Sequence, residues 1–429
     1  MPGDNLRNRH SYLGEIVVVR HQVAGTVLGF VLTLALACSG CSSTSGSSQP
    51  AAGLPRTSVG TATARSAASP DTPSPSREPL SCPARVFARM TAAQRVGQLF
   101  MVGLAGQPVS EVARAVAAYH FGSLLFGTTT SASLAEVRQV TVADQGLASA
   151  AATARTRFFI AADQEGGEVQ RLRGPGFSAI PSAVAQGQLV PGVLQRDAGG
   201  WGRQLKRAGI NLDLAPVMDV VPPGTASLNQ PIGTLMREFG SAPGTVAAHG
   251  VAFIKGMRQA GVATTAKHFP GLGRVTGNTD LTAGVTDTVT TPDDPYLRSF
   301  RAAVGAGVPF VMVSLASYPR IDPDHLAVFS SRVMRLLRQQ LRFGGVIISD
   351  DMGAAAAVAS VSPAGRATGF LAAGGDMILS VSLPVAAAMD AAVLSRVHSD
   401  PAFRSQAYAA VMRVLSAKQA YGLLSCPAD

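Results

Sequence analysis

Residues 262 to 280 read VATTAKHFPGLGRVTGNTD, and in them a lysine and a histidine, Lys267 and His268, stand side by side at the end of an apolar, β-branched run. Phe269-Pro270-Gly271 breaks that run. A loop punctuated by Gly271, Gly273 and Gly277 follows and closes on Asn278-Thr279-Asp280. A cation pair at the tip of a buried strand, next to a polar glycine-rich loop, is the composition of a binding site. Charged residues recur in the same setting elsewhere. Val346 to Ser349 leads into Asp350 and Asp351. Phe158 to Ala162 leads into Asp163-Gln164-Glu165-Gly166-Gly167, with Arg171 just beyond. Ile210 to Ala215 leads into Pro216, Met218 and Asp219, and the long loop after it carries Arg237-Glu238-Phe239-Gly240. Carboxylates and cations at one end of several strands could do nucleophilic or acid–base work on a polar substrate.

The elements that must position these residues repeat one rhythm from Cys82 onward: short apolar strand, polar loop, amphipathic helix. Eight strands are expected: Gly97 to Gly103, Gly122 to Phe126, Phe158 to Ala162, Ile210 to Ala215, Val262 to Ala266, Phe310 to Ser314, Val346 to Ser349 and Met377 to Val381. Helices are expected from Ser133 to about Ala152, opening on a Ser133/Glu136 capping box, from Gly244 to Ala260 before Gly261, from about Asp294 to Ala306, and from Ser331 to Leu341. Near-continuous apolar strands alternating with helices predict a parallel sheet covered by helices. Eight such units fit an α/β protein of the (β/α)8 TIM-barrel type, a single catalytic domain with its chemistry at the carboxyl ends of the strands. A doubly wound open sheet is the competing architecture.

Each site residue has a plainer reading beside the functional one. Ser349 and Asp351 suit capping of a helix through Ala354 to Ala357, whereas Asp350 comes first off the strand and takes the functional assignment. Four lysines stand against 32 arginines in the chain, so a lysine at 267 suggests a place that suits a compact ammonium better than a guanidinium fork; a surface ion pair is the alternative. His268 gains weight from its neighbour. Asp163 and Arg171 frame a Gly-Gly turn, where an acid beside bare backbone could bond sugar hydroxyls or simply close an internal ion pair. The glycine spacing 271, 273, 277 misses the dinucleotide fingerprint. No His/Cys cluster has metal-ligand spacing, so neither cofactor nor metal is expected.

Length and composition bound the rest. The chain has 429 residues, 47% hydrophobic and 14% charged, with a formal net charge of +10. The basic residues are scattered and only 6% are aromatic, which argues against nucleic acid as a partner. Arg20 and His21 precede an apolar run from Val23 to Ala37 that is short for a membrane span and suits an export signal. The run closes on LALACSGCSS, where small residues before cysteine resemble a bacterial lipoprotein box; Cys41 is favoured for lipidation, with Cys38 the alternative. Residues 1–41 are thus expected to be a lipoprotein signal peptide, 42–81 a disordered Ser/Thr/Pro-rich tether, and 82–429 the folded domain. That places the protein outside the cell membrane, lipid-anchored to its outer face on the periplasmic or cell-wall side. Cys82 and Cys426, at the two ends of the folded part, are expected to bridge.

Taken together, DQEGG-x-VQR, NLDLAPVMDV, REFG, KHFPG and GVIISDDM, in this order between about residues 90 and 385, resemble glycoside hydrolase family 3. The closest branch is the single-domain bacterial β-N-acetylglucosaminidases of peptidoglycan turnover, and the chain looks like an actinobacterial lipoprotein member. The resemblance implies a (β/α)8 barrel and a retaining hydrolase without cofactor. Matched position by position, Asp350 would be the nucleophile, and Asp163, Arg171, Arg237, Lys267 and His268 would hold a terminal N-acetylglucosamine (GlcNAc). Lys267 or Arg237 would keep the Asp350 carboxyl ionised.

The sequence departs from the branch at the proton donor. The branch carries an Asp-x-His dyad after KHFPG; here Asn278 stands for its aspartate and Asp280 for its histidine, and Leu272 replaces the histidine of PGHG. Asp280 is the candidate acid/base, with a pKa raised by loop closure and by Asp350, and Asp287 is the reserve. The expected substrate is a muropeptide or other GlcNAc-containing oligosaccharide, ideally GlcNAc β-1,4-linked to N-acetylmuramic acid, and the expected state is a monomer. The alternatives are a non-catalytic sugar-binding lipoprotein on the same scaffold, motivated by the missing dyad, and a β-glucosidase of the wider family.

Overall fold

The computed structural model describes residues 80–426. The expected signal peptide, Cys38, Cys41 and the tether up to residue 79 lie outside the described residues. All eight expected strands form, and they close into one parallel barrel: β1 (Phe100–Val102), β2 (Ser123–Phe126), β3 (Phe159–Ala162), β4 (Leu212–Asp213), β5 (Ala263–Phe269), β6 (Phe310–Val313), β7 (Val346–Asp351) and β8 (Met377–Ser380). Neighbours in sequence are neighbours in the barrel, and β8 returns to β1 through Phe100↔Ile378 and Met101↔Leu379. The open-sheet alternative is overturned by this closure.

The barrel interior is filled by side chains from all eight strands, among them Met101, Phe159, Leu212, Phe310, Met312, Ile348 and Met377, all at most 2% exposed. Each such buried side chain contributes about 1.5–3 kcal/mol to folding. The base is closed by the C-terminal helix Pro401–Ala420 and the turn after it: Val414 and Leu423 join the interior, and the Tyr421 ring lies 6.4 Å from Phe159. Lys418 is buried there, donating from Nζ to Gln98 Oε1 and to the Gly122 carbonyl, each at 2.7 Å. Cys82 and Cys426 form a disulfide with Cα atoms 5.8 Å apart, joining the first described helix, Cys82–Arg89, to the end of the domain.

Several boundaries differ from expectation for local reasons. The run from Gly97 does not begin a strand. Residues Ala92–Gly97 are helical, opened by a reciprocal Thr91/Gln94 capping box, and Gly97 packs so tightly that a Cβ would lie 2.1 Å from the His120 carbonyl oxygen. The helix expected to span 133–152 is two helices, Leu134–Gly146 and Ala150–Thr153, the second restarted by Ser149; the Ser133/Glu136 box is present. The helix expected from 331 begins as an α-helix, Ser331–Arg335, and widens into a π turn, Leu336–Gln340. No α-helix follows Asp351 directly; a 3-10 turn, Ala356–Val358, stands there. β5 runs three residues beyond its expected end, carrying Lys267 and His268 inside the strand rather than after it.

Candidate active site

A cavity of about 400 Å3 opens at the carboxyl ends of the barrel strands. Asp163, Arg171, Arg237, Lys267, His268, Asp280 and Asp350 all line it, so the residues singled out from the sequence are brought together. Apolar walls come from Leu125, Leu214, Met312 and Leu379, the top layer of the barrel core.

Lys267 stands at the centre of one side. Its ammonium donates to Asp163 Oδ1 at 2.6 Å and lies 2.7 Å from Glu165 Oε1, and its side chain is 3% exposed. Glu165 in turn receives Arg237 on both oxygens, Nε to Oε2 at 2.8 Å and Nη2 to Oε1 at 2.7 Å, while Arg237 Nη1 donates to the Pro231 carbonyl at 2.7 Å. Arg171 Nε approaches Asp163 Oδ2 at 3.9 Å. The result is a continuous row, Arg171–Asp163–Lys267–Glu165–Arg237, alternating in sign. Burial would push the Glu165 carboxyl up, but Arg237 and Lys267 outweigh it and hold the group far below the ordinary carboxylate range. Burial would likewise lower the Lys267 ammonium, and Asp163 and Glu165 raise it instead. Beneath the row, burial pushes Asp213 up to about 8, against a bond from the Gln164 N–H that lowers it.

Glu165 is the residue that sequence reasoning passed over. It lies two positions from Asp163, in the short hairpin Gln164–Gly166 and Val169–Gln170. The Gly166-Gly167 turn that makes this hairpin possible is itself legible. Both glycines have positive φ, +107° and +56°, and a Cβ on Gly166 would meet the Pro181 carbonyl oxygen at 2.2 Å. Lys267 and Arg237 were expected to face Asp350; their direct partners are Asp163 and Glu165.

His268 is held by Asp219, which accepts from His268 Nδ1 at 2.8 Å and from its backbone N–H at 3.1 Å. The same carboxylate accepts the Leu272 N–H at 2.8 Å, so it fixes both the strand tip and the start of the loop. Asn229 completes the anchorage: its Nδ2 donates to the carbonyls of Leu272 and Val275, both at 2.7 Å, and its Oδ1 accepts from Ile232 and Gly233. Tyr318 donates to the Gly271 carbonyl at 2.8 Å and pairs with Ser314, whose strand-end hydroxyl is thus used for support. Glycine at 273 follows from contact, not from ligand phosphate: a Cβ there would lie 1.9 Å from the Val220 carbonyl oxygen.

The two catalytic candidates stand on a strand and on a loop that is joined to the segment after that strand. Asp350 lies in β7 with Oδ1 accepting the Asp351 N–H at 2.9 Å. Asp351 is a turn cap, as expected, accepting from Gly353, Ala354 and Val381. Asp280 sits at the rim with solvent on one side and the pocket on the other. Its backbone N–H donates to Asn278 Oδ1 at 3.0 Å. The carbonyls of Thr279 and Asp280 accept from Ala357 at 3.0 Å and Ala356 at 3.1 Å, tying this loop to the stretch after Asp350. The protein around Asp280 raises its pKa by desolvation first and by the nearby Asp350 charge second, partly opposed by His268 and Arg237. Asp287, the reserve, is excluded by position. It is 2% exposed, is not among the residues lining this cavity, and is occupied by the N–H groups of Val289 and Thr290 and the Thr290 hydroxyl. Among the described residues no group of three His, Cys, Asp or Glu side chains could hold a metal ion.

Comparison with known proteins agrees with this architecture. Residues 91–417 match the Glycosyl hydrolase family 3 N terminal domain. A β-hexosaminidase of Vibrio cholerae is 37% identical over 229 residues, covering 53% of this chain and 66% of that protein, just under two thirds of its length. The β-hexosaminidase LpqI of Mycobacterium tuberculosis is 34% identical over 338 residues, covering 74% of this chain and 80% of the relative. The crystal structure of a β-N-acetylhexosaminidase from Beutenbergia cavernae superposes with a TM-score of 0.76 at 48% identity, covering 77% of this chain and 99% of that one.

Proposed function

The chain belongs to glycosyl hydrolase family 3, and from that premise we propose that it is a retaining exo-β-N-acetylhexosaminidase that removes terminal GlcNAc from cell-wall fragments. The observation that carries the reading is the meeting of Asp350 and Asp280 in one cavity with the Arg171–Asp163–Lys267–Glu165–Arg237 row. That row offers a sugar ring donors and acceptors whose positions are fixed before it arrives, because each is already held by its neighbour.

In the first step the Asp350 carboxylate attacks the anomeric carbon, and the bond to the leaving oxygen breaks as Asp280 gives it a proton. The raised pKa of Asp280 suits a group that must begin protonated. The product of this step is a glycosyl ester on Asp350 and a free aglycone. In the second, the Asp280 carboxylate takes a proton from water, the water oxygen attacks the same carbon, and Asp350 leaves as carboxylate. A carboxyl replacing the Asp-x-His dyad keeps this proton cycle intact, since one oxygen can donate and later accept.

GlcNAc linked β-1,4 to N-acetylmuramic acid is the substrate we assign, placing the enzyme in peptidoglycan turnover. The export-type N-terminus and the cysteines at 38 and 41 support a lipoprotein anchored to the outer face of the cell membrane. Residues 1–41 are assigned as signal peptide and 42–81 as tether.

Mass spectrometry after treatment with a fluorinated GlcNAc trap tests the mechanism. An adduct on the peptide that contains Asp350 is expected. Cleavage of a synthetic GlcNAc glycoside with no such adduct would overturn the covalent step.

A further inference from the structure

At the opposite end of the barrel lies a larger cavity, about 500 Å3, against the starts of β3 and β4 and the ends of the helices Leu134–Gly146 and Pro191–Ala208. Arg138, Arg157 and Lys206 line it, and no carboxylate does. A second cavity, about 460 Å3, shares Lys206 and adds Arg203 and Arg207, again without an acid. All five cations are exposed, and among the described residues none of them is paired with a carboxylate. Lys206 has one backbone acceptor, the Gly261 carbonyl at 3.2 Å. Lys206 and Arg207 stand in the last turn of their helix, where the carbonyl ends attract positive charge; Arg138, Arg157 and Arg203 have no such local reason. Of the two acids on the Leu134–Gly146 helix, Glu136 stands in its first turn and is taken up by the Ser133 N–H, and Asp144 is 1% exposed and raised by burial to about 7, so Asp144 offsets little of this charge. One apolar side chain, Val142, stands 52% exposed among them.

We infer that this basic end face docks on a membrane surface carrying anionic phospholipid, with the catalytic mouth turned away from it. Five unpaired cations spread over two contiguous hollows suit a field of phosphates better than one small anion. An exposed valine among them suits the headgroup boundary. The position of the domain's beginning agrees. Leu423 is part of the cavity wall, three residues from Cys426, and Cys426 lies 5.8 Å (Cα–Cα) from Cys82. Three residues reach at most about 11 Å, so the chain joins the domain beside this face. The reaction end points the opposite way, toward polymer beyond the membrane.

The test is co-sedimentation of the full chain with neutral phosphatidylcholine vesicles and with mixed phosphatidylcholine–phosphatidylglycerol vesicles at low and high salt. Neutral vesicles report any lipid anchor; the ratio between the two reports the basic face, so failure of one reading leaves the other standing. A preference for anionic vesicles that fades with salt is expected. In R138Q/R157Q/K206Q that preference should fall by about 100-fold, from roughly tenfold or less per basic residue near such a surface. Turnover of a soluble GlcNAc glycoside should be unchanged, which also shows that the variant is folded. Equal partitioning of the unmodified chain onto both vesicles at low salt, or an intact preference in the triple variant, would overturn the inference. So would binding to soluble polyphosphate without any vesicle preference, which would assign the face to a soluble polyanion.

Discussion

Glu165 grips Arg237 with both carboxylate oxygens, at 2.7 and 2.8 Å, and the same carboxylate lies 2.7 Å from the Lys267 ammonium. One buried acid therefore sets the position of two cations that line the pocket. Replacing it by Glu165→Gln keeps the size and removes the charge, leaving Arg237 and Lys267 short of an anion in a site nearly closed to water. Breaking a buried pair this way costs about 3–5 kcal/mol. Thermal unfolding should report a lower midpoint, and KM for a GlcNAc glycoside should rise. A variant with wild-type KM and midpoint would show that Glu165 does not hold the row.

The rate should fall as pH climbs through the raised pKa of Asp280, because the proposed mechanism needs this carboxyl protonated in its first step. In Asp280→Ala the basic limb of the kcat/KM profile should vanish, and kcat should drop by about 10²- to 10⁴-fold with poor leaving groups. Asp280→His, which puts an imidazole where the family resemblance leads one to expect it, should return a basic limb. A profile of unchanged shape in the alanine variant would remove Asp280 from the mechanism.

Two glycine replacements should move stability in opposite directions. A methyl at 273 would meet the Val220 carbonyl oxygen at 1.9 Å, so Gly273→Ala must displace the loop that leads to Asp280. Lower stability and impaired turnover are expected. At 192, in the first turn of the Pro191–Ala208 helix, nothing lies within 4 Å of an added Cβ. Gly192→Ala should stabilise by up to about 1 kcal/mol, the helix preference for alanine. Denaturant midpoints distinguish the two.

Lys418 supplies a pH signature remote from the site. Complete burial depresses its ammonium well below the usual lysine range. Between that depressed value and the ordinary 10.5, the unfolded chain carries a proton that the folded chain lacks, so stability rises with pH across the window. In Lys418→Met this slope should flatten, even though Gln98 Oε1 and the Gly122 carbonyl lose their donor. Unfolding free energies measured from neutral to alkaline pH check it; an unchanged slope would mean that the ammonium is charged when buried.

The sequence carried the barrel because each strand is an apolar run short enough to cross the core once, and each is followed by polar residues at the same end. It misjudged β5 at Ala266 for the same reason. Polarity marks the end of a strand only when the polar groups reach water, and here Asp163, Glu165 and Asp219 let Lys267 and His268 stay inside. Asp163, Lys267 and Asp350 could be found because each follows directly on a short apolar run. Glu165 could not be told from its neighbours Gln164 and Gly166, since its partners are 72 residues away in one case. Asp219 and Asn229 act through loops that no local pattern pairs. Asp287 misled because closeness to Asp280 along the chain says nothing of which way a turn faces.

The stretch bearing Asp280 is stitched by Thr279 and Asp280 to Ala357 and Ala356, just beyond Asp350. The proposed proton donor is thus tied to the segment that follows the strand of the proposed nucleophile. On the proposed mechanism, any swing of the Asp280 loop must either break these two bonds or drag the Ala356–Ala357 stretch along with it.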